Sequence, residues 1–380
     1  MARLLEDVMT SAYADLAENQ HLEVDTNLVK TFLLEAHDAQ DANHEHVFAL
    51  VRDSFTPALA RSHRRAQVSE TDEQFFFVIE ADAGDRHGPL SLFIDATNPR
   101  YWLAHSFSKT SAVDPVIKDV LLDSPKLDNA WLPVQLLERT AAGGALRGLG
   151  LAFDRRKIPD VDFDVPDAPV EFLKMQLWGN RAADVLRILR EQEAFPESTT
   201  LSKVKIKQWL DGDDESFSLA DVKYDGKITV RGTSFASYAS MLTRIVDLYS
   251  RKIHDLEQKF RIRGRVEDNR FYLDGAPLNI RFPHPLPDLE LFCESVFAGT
   301  APFKLWGIPV QVSPSMFRVS VIDLHVIGSM TVEICPDFMR VYLAEGACGN
   351  TLIRLYTNLQ HYYNSLISAT DAQEELAFEF

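Results

Sequence analysis

The sequence predicts an α+β fold with a helical N-terminal segment, a central ferredoxin-like (split βαβ) unit, and a C-terminal, mainly antiparallel sheet closed by a helix. Three observations support this prediction. Apolar residues near the N-terminus recur every three or four positions, as on the buried side of a helix. In the centre, strand-like and helix-like segments follow one another in the order β-α-β-β-β-α-β. After residue 270, short apolar runs typical of strands precede a last helical pattern.

Helical patterns predict that residues 1–66 are helices, and Thr26 is the expected N-cap of a helix that contains Phe32 and Ala36. Strand candidates, two further helices and one more extended segment follow, and they complete an α+β domain of residues 1–160. These elements are strands at 75–81, 89–96 and 100–107, helices that begin at Asp114-Pro115 and Pro133, and an extended segment at 143–154.

Residues 155–169 are rich in proline and aspartate, which predicts a linker. The central domain, residues 161–268, contains an expected hairpin whose Asp225-Gly226 pair is typical of a tight turn. Apolar residues from Phe235 to Phe260 step by three or four, which predicts one long helix. The other expected elements are strands at 170–178, 202–210 and 260–266 and a helix at 180–193.

The C-terminal domain, residues 269–380, is expected to be an antiparallel β domain. Asn350 is the expected cap of its closing helix, which carries Leu352, Leu355 and Leu359 on one side. The strands are predicted at 271–273, 308–313, 317–327, 329–335 and 338–344.

The net charge of -17 disfavours binding of nucleic acid or an anionic membrane by the surface as a whole. A local basic groove is still compatible with this charge, because exposed charges are screened beyond about 10 Å. The 3 cysteines fit neither a zinc site nor a disulfide framework. The N-terminal residues include Glu6, Asp7 and Asp15 and do not form an apolar core like that of a signal peptide, and no uncharged stretch of about 20 apolar residues occurs. We therefore expect a soluble, cytoplasmic protein with no membrane partner.

No specific catalytic or cofactor motif is found in the chain. Gly143 and Gly148 have the spacing of a phosphate loop, but Leu149 and Gly150 stand where lysine and serine or threonine are needed. Dinucleotide-binding, nucleophile-elbow and zinc-protease motifs do not occur. We therefore expect no cofactor.

Two polar constellations are candidates for chemistry. His37, Asp41 and His44 would share one side of a continuous helix and could hold a divalent metal, although the hydrophilic, loop-like sequence around them favours a polar helix end instead. Asp323 and His325 would point the same way from one strand, with Glu333 on the next strand. Such a trio can perform acid–base chemistry, whereas the alternative is a structural or solvent-facing polar pair.

Basic residues alternate along two predicted strands, so each strand presents three like charges on one side of a sheet. We call these sets the basic rows, and they consist of Lys203, Lys205 and Lys207 and of Arg261, Arg263 and Arg265. A basic row suits a phosphate backbone. The alternatives are a solvated sheet face, protection of a sheet edge, or pairing with carboxylates of the same chain.

These observations favour a non-enzymatic binding or scaffold subunit of a larger assembly. Its partners would be other protein subunits, and the basic rows could contact nucleic acid. The alternative is a metal-dependent or acid–base enzyme of the hydrolase or nuclease type, centred on Asp323, His325 and Glu333.

Overall fold

The computed structural model describes residues 3–18, 29–61, 64–82, 89–158, 170–192, 195–210, 213–268 and 270–379. Helices and sheets are mixed throughout these residues, which confirms the α+β class. None of the helices in these ranges is long and apolar enough to cross a membrane. The helices are α1 (Arg3–Glu18), α2 (His44–Arg61), α3 (Thr110–Asp123), α4 (Val134–Ala141), α5 (Ala182–Glu191), α6 (Phe235–Phe260), α7 (Leu289–Val296) and α8 (Asn350–Tyr362).

The strands fall into an N-terminal and a C-terminal series. The first series is β1 (Val29–Glu35), β2 (Ala66–Glu70), β3 (Phe76–Ala81), β4 (Leu90–Asp95), β5 (Tyr101–Ser106), β6 (Asp128–Asn129), β7 (Ala145–Asp154), β8 (Phe172–Trp178), β9 (Leu201–Leu210), β10 (Asp213–Lys223) and β11 (Lys227–Gly232). The second is β12 (Arg261–Glu267), β13 (Arg270–Asp274), β14 (Leu278–Arg281), β15 (Leu305–Ser313), β16 (Met316–Asp323), β17 (Ser329–Ile334), β18 (Phe338–Ala344) and β19 (Ser368–Thr370).

The chain forms two compact units, and each is built from discontinuous segments. The first unit comprises Met1–Ala130, Gly143–Ala145 and Lys205–Asp247. The second unit comprises Trp131–Ala142, Leu146–Val204 and Leu248–Phe380. The division into residues 1–160, 161–268 and 269–380 stays a prediction; the two units group the chain differently.

The first unit contains an antiparallel sheet in the order β2-β3-β4-β5-β1-β11-β10, and β6 pairs with the end of β1. All seven residues of β1 are buried, as expected for a central strand. The Asp225-Gly226 turn joins β10 to β11, and Gly226 adopts a φ of 77°, which glycine tolerates best. The predicted hairpin is therefore confirmed.

The two sides of this sheet differ in polarity. Phe32 and Trp102 belong to an apolar core that also includes buried residues of α2 and α3. Side chains that alternate with them point to the opposite side, where Thr31 Oγ1 and His105 Nδ1 lie 2.6 and 2.7 Å from the Tyr238 hydroxyl of α6. Burial lowers the pKa of His105 to about 4. His105 is therefore a neutral core residue at neutral pH.

The predicted helix through Phe32 and Ala36 is wrong, because residues 29–35 form β1. All seven residues of this segment are buried, including the polar Lys30, Thr31 and Glu35, so it has no solvent-facing side whose spacing would distinguish a strand from a helix. Thr26, the expected cap, lies outside the described residues.

The second unit contains a sheet in the order β13-β12-β18-β17-β16-β15, and β14 pairs with both β18 and β19. The β12–β18 pair is parallel and the other pairs are antiparallel. Helix α8 lies where a closing helix is predicted, but its N-cap residue is Gly349 rather than Asn350, whose Oδ1 instead accepts a hydrogen bond from the Tyr249 hydroxyl at 2.6 Å. Its residues Asn350 to His361 are all buried. A mainly antiparallel C-terminal sheet with a closing helix is therefore observed.

The ferredoxin-like arrangement differs from the observed pairing. All of its predicted elements occur in the predicted order, from β8 to β12. However, β12 pairs with β18 and β13 instead of joining the sheet of β10 and β11. Alternation of side chains predicts a strand but does not select its neighbour, which is why the pairing could not be read from the sequence.

Candidate functional site

The outer side of the second unit's sheet exposes an apolar surface. On β15, Trp306, Ile308, Val310 and Val312 are exposed, and Ile308 retains 67% of its accessible area. Ile322 of β16 lies directly opposite Trp306 and is also exposed. Large apolar side chains that cluster on one exposed face are typical of an interaction site. We call this set of five residues the apolar face.

The free edge of β15 is protected against addition of another strand. Gly307 N donates to Phe297 O at 3.2 Å, and Gly299 N donates to Leu305 O at 2.8 Å. Further along, Pro309 has no N–H to offer a neighbouring strand. A partner is therefore expected on the side chains of the apolar face rather than along the backbone of β15.

A row of polar side chains crosses the same outer side. Arg318, Glu333 and Arg340 lie directly opposite one another on β16, β17 and β18. Arg318 Nη2 donates to Glu333 Oε1 at 2.7 Å, and the Tyr342 hydroxyl donates to Oε2 at 3.0 Å. The hydrogen bond from Arg318 is the main cause that lowers the pKa of Glu333. Arg340 lies opposite Glu333 on β18, and its guanidinium group lies 4.8 Å from the ring centre of Phe338. The row thus has two guanidinium groups for one carboxylate and carries a net positive charge.

The apolar face and the polar row border one open groove of about 1030 Å³. The lining includes the apolar Trp306, Ile322 and Ile262 and the polar Ser320 and Thr331. The groove therefore combines apolar walls with a small number of placed polar groups, as binding sites commonly do.

A second polar cluster in this unit is fully buried. Asp323 Oδ1 accepts hydrogen bonds from Arg354 Nη2 and from His325 N, the latter at 2.9 Å, and Oδ2 accepts one from Thr351 Oγ1. Arg354 Nε also donates to Phe303 O at 2.7 Å. Because all these groups are shielded from water and hold one another, the cluster is suited to fix α8 on the sheet.

The structure does not bring Asp323, His325 and Glu333 together as the acid–base hypothesis requires. Glu333 lies opposite Arg318, five residues from Asp323 along β16, which corresponds to about 16 Å. Asp323 is buried, whereas Glu333 belongs to the outer side. His325 lies in the turn after β16 rather than on the strand. The strand was predicted to continue to 327, and the turn that ends it at 323 is the reason for the difference.

The basic rows belong to different sheets, since β9 and β12 are not in one ladder. Lys203, Lys205 and Lys207 alternate with buried residues, and Lys205 Nζ lies 3.6 Å from Asp221 Oδ1. Lys207 Nζ lies 3.9 Å from the ring centre of Phe217.

In the second row, Arg261 pairs with Glu257 at 2.9 Å. Arg265 pairs with Asp274 at 3.2 Å and with Glu267, while Arg263 is exposed. A continuous ridge across two neighbouring strands is therefore not observed, and much of the positive charge is balanced by carboxylates of the same chain.

The proposed metal ligands do not share a helix. His37 lies in a short 3-10 turn, Asp41 follows in a turn, and His44 is the first residue of α2. His44 Nε2 lies 3.2 Å from Glu70 Oε1, and its Nδ1 accepts from Phe75 N at 3.2 Å. The continuous helix that would align the three side chains is wrong, because residues 40–43 are non-helical and separate the 3-10 turn from α2.

Comparison with known proteins places nearly the whole chain in one family. The family model described as "MJECL33-like protein" matches residues 1–378. The chain belongs to the MJECL33-like family. It is similar to the uncharacterized protein MJECL33 of Methanocaldococcus jannaschii, with 28% identity over 95% of this chain and 90% of that protein.

The apolar face of this MJECL33-like protein is not among the features predicted from its sequence. Its signal is present in the segment Leu305–Ser313, where Trp306, Ile308, Val310 and Val312 occupy every second position. The residues between them include Gly307, Pro309 and Gln311, which are poor core residues. An apolar side chain at every second position shows that a strand has one apolar face, but only the sheet shows that this face points to solvent.

Proposed function

We propose that this MJECL33-like protein is a binding subunit of a larger assembly and that a protein partner docks on the apolar face. The observation that carries the proposal is the exposure of Trp306, Ile308, Val310 and Ile322 on one side of an ordered sheet. Exposing these side chains is unfavourable by about 25 cal/mol for each Å² of apolar area. A partner that covers them removes this cost, and this is the usual driving force of protein association.

The polar row indicates the chemistry of the partner. Arg318 is paired with Glu333, whereas Arg340 lies opposite Glu333 on the next strand, so the row has two guanidinium groups for one carboxylate and can accept one further carboxylate. Arginine binds carboxylates through two parallel hydrogen bonds, which fixes orientation as well as affinity. The partner surface that fits best is therefore apolar at its centre and acidic at its border.

Contact with nucleic acid through the basic rows is the weaker part of the earlier hypothesis. A basic residue contributes to binding when it replaces counterions on a phosphate. Lys205 and Arg265 already lie beside Asp221 and Asp274, so fewer unbalanced charges are offered than the sequence suggests. A gel-shift titration across salt concentrations with Arg261, Arg263 and Arg265 reversed to glutamate tests this part separately.

Co-purification from the native host tests the proposal for the apolar face. Tagged wild-type protein is expected to retain a stoichiometric partner, and the double variant Ile308→Ser/Val310→Ser is expected to lose it. Both residues are exposed, so the substitutions are expected to change the free energy of unfolding by less than about 0.5 kcal/mol. Arg340→Glu should weaken the same complex by reversing the charge that faces the partner.

The matched control is Leu122→Ser, which removes an exposed apolar side chain from α3 in the first unit. This variant should retain the partner. A partner that binds the Ile308→Ser/Val310→Ser variant as tightly as wild type would show that the apolar face is not the docking site.

A further inference from the structure

A second surface of this protein points to self-association. Strands β12 and β13 form a hairpin, which we call the arm, and residues 263–267 and 270–274 are all exposed. Its two sides are chemically distinct. One side carries Gly264, Val266, Phe271 and Leu273, and the other carries the charged residues and Tyr272. Phe271 and Leu273 retain 66% and 67% of their accessible area.

The arm has an open edge. Strand β13 is the terminal strand in its sheet order and pairs with β12 alone among the described residues. It contains no proline, and the backbone hydrogen bonds of the described residues do not cover its outer edge. This edge differs from that of β15, which is protected by Pro309 and by Gly307. An isolated two-stranded hairpin is at most marginally stable in water, so the arm gains from a further strand.

The pairing within the hairpin fixes which backbone groups point outward. Glu267 and Arg270 are opposite each other across a two-residue connection, which makes them a hydrogen-bonded pair. Because hydrogen-bonded and non-hydrogen-bonded pairs alternate, Arg265 and Tyr272 form the next hydrogen-bonded pair. The N–H and C=O groups of Phe271 and Leu273 therefore point away from β12.

The sequence of β13, Arg270-Phe271-Tyr272-Leu273-Asp274, is complementary to itself in the antiparallel direction. When two copies are centred on Tyr272, Arg270 lies opposite Asp274 of the other copy at both ends. Phe271 then lies opposite Leu273 of the other copy, and the outward N–H and C=O groups of these two residues are in register for hydrogen bonds. Charge, apolar contact and backbone geometry thus agree on one register.

We propose that two copies of this chain dimerise through antiparallel pairing of β13 with β13 about a two-fold axis at Tyr272. The interface is isologous, because each copy offers the same residues to the other. It forms a four-stranded ribbon from two arms and supplies four main-chain hydrogen bonds. This surface is distinct from the apolar face, so loss of one association does not entail loss of the other.

Charge reversal with mixing tests the dimer on the full chain. In a dimer of the Arg270→Glu variant, the new glutamate lies opposite Asp274 of the other copy, so two negative charges meet at each end of the paired strands. In a dimer of the Asp274→Lys variant, the new lysine lies opposite Arg270, so two positive charges meet at each end. Sedimentation equilibrium should show each variant dimerising about tenfold more weakly than wild type, since directly opposed like charges destabilise a sheet. An equimolar mixture restores an attractive pair at both ends and should restore the dimer.

Cross-linking tests the register. Tyr272→Cys places two thiols at the two-fold axis in a non-hydrogen-bonded pair, where the Cα atoms are about 4.5 Å apart and a disulfide is possible. Mild oxidation should link this variant as a dimer, whereas Arg263→Cys on the same side of the arm should stay unlinked. A monomeric wild type at about 100 μM, far above the nM–μM range of specific complexes, or failure of the mixture to restore the dimer, would overturn the proposal.

Discussion

At the scale of single residues, the buried ion pair of Asp323 and Arg354 stands apart from the surface pairs of the same unit. Both of its side chains are almost fully shielded, at 3% and 0% exposure. The Arg318–Glu333 pair lies on the outer side, where Arg318 is half exposed. The low dielectric around the first pair makes the loss of either partner costly, whereas water screens the second.

Asp323→Asn should therefore lower the free energy of unfolding by about 3–5 kcal/mol, because Arg354 is left buried without a countercharge. Arg318→Gln should lower it by less than about 1 kcal/mol. Urea unfolding followed by circular dichroism measures both. A similar small effect for the two variants would show that the buried cluster does not hold α8 on the sheet, and the double variant Asp323→Leu/Arg354→Met should recover part of the loss.

Two buried histidines predict a pH dependence of stability. Burial lowers the pKa values of His105 and His361 to about 4 each, whereas the unfolded chain has the ordinary value of about 6.5. Between these values the unfolded state binds more protons, so the free energy of unfolding rises with pH. The stabilisation is complete above about pH 6.5 and is lost as the pH falls towards 4.

Each histidine should contribute up to about 1.4 kcal/mol per pH unit within this window. Urea unfolding at a series of pH values from 4 to 7 measures the slope. His105→Gln should reduce the slope, while the exposed His46→Gln should leave it unchanged. An unchanged slope in His105→Gln would contradict the assignment of His105 as a neutral core residue.

At the scale of elements, the turn after β16 has an uncommon backbone. Val326 and Ile327 have φ angles of 57° and 51°, in the left-handed region that β-branched residues rarely adopt. Ile327 is also 73% exposed, so its side chain gains little from packing. Asp323 N donates a hydrogen bond to Gly328 O at 2.8 Å across this turn. The turn therefore helps to fix Asp323, whose carboxylate is bound by Arg354 and Thr351.

Ile327→Asn should raise the free energy of unfolding by about 1 kcal/mol, because asparagine tolerates the left-handed region better. Thermal and urea unfolding measure the change. Ile308→Asn is the control, since Ile308 is equally exposed but lies on an extended strand, and it should give no gain. Equal effects at the two positions would argue against strain in this turn.

Element assignment from the sequence succeeded where the pattern had one clear period. The long helix α6 and the hairpin of β10 and β11 were predicted from helical spacing and from Asp225-Gly226. Strand β1 was missed because both of its faces are buried, so no solvent-facing side reveals its period. Strands β14 and β19 were missed because they are only four and three residues long.

At the scale of the whole molecule, the first unit depends on strands that are far apart in the sequence. β1 pairs with β5 on one side and with β11 on the other. One edge of the strand near residue 30 is therefore hydrogen-bonded to a strand near residue 230. A sheet completed by such distant segments cannot form from the N-terminal part alone.

A fragment of residues 1–160 should therefore fail to unfold cooperatively, because it lacks β10 and β11 and leaves one edge of β1 uncovered. Near-ultraviolet circular dichroism during a urea titration measures this. Residues 201–260 supplied as a second chain should restore the transition. A cooperative transition in the fragment alone would support the predicted domain boundary near residue 160.

The sequence by itself determined the α+β class, most strands and helices, and the absence of known catalytic motifs, because local periodicity and turn residues are properties of short segments. The tertiary structure decided which strands are neighbours and which sides face water. It paired Arg261 and Arg265 of β12 with nearby carboxylates, separated Glu333 from Asp323, and exposed the alternating apolar residues of β15 and β13. These outcomes depend on contacts between distant segments, whose free energies no single stretch of sequence contains.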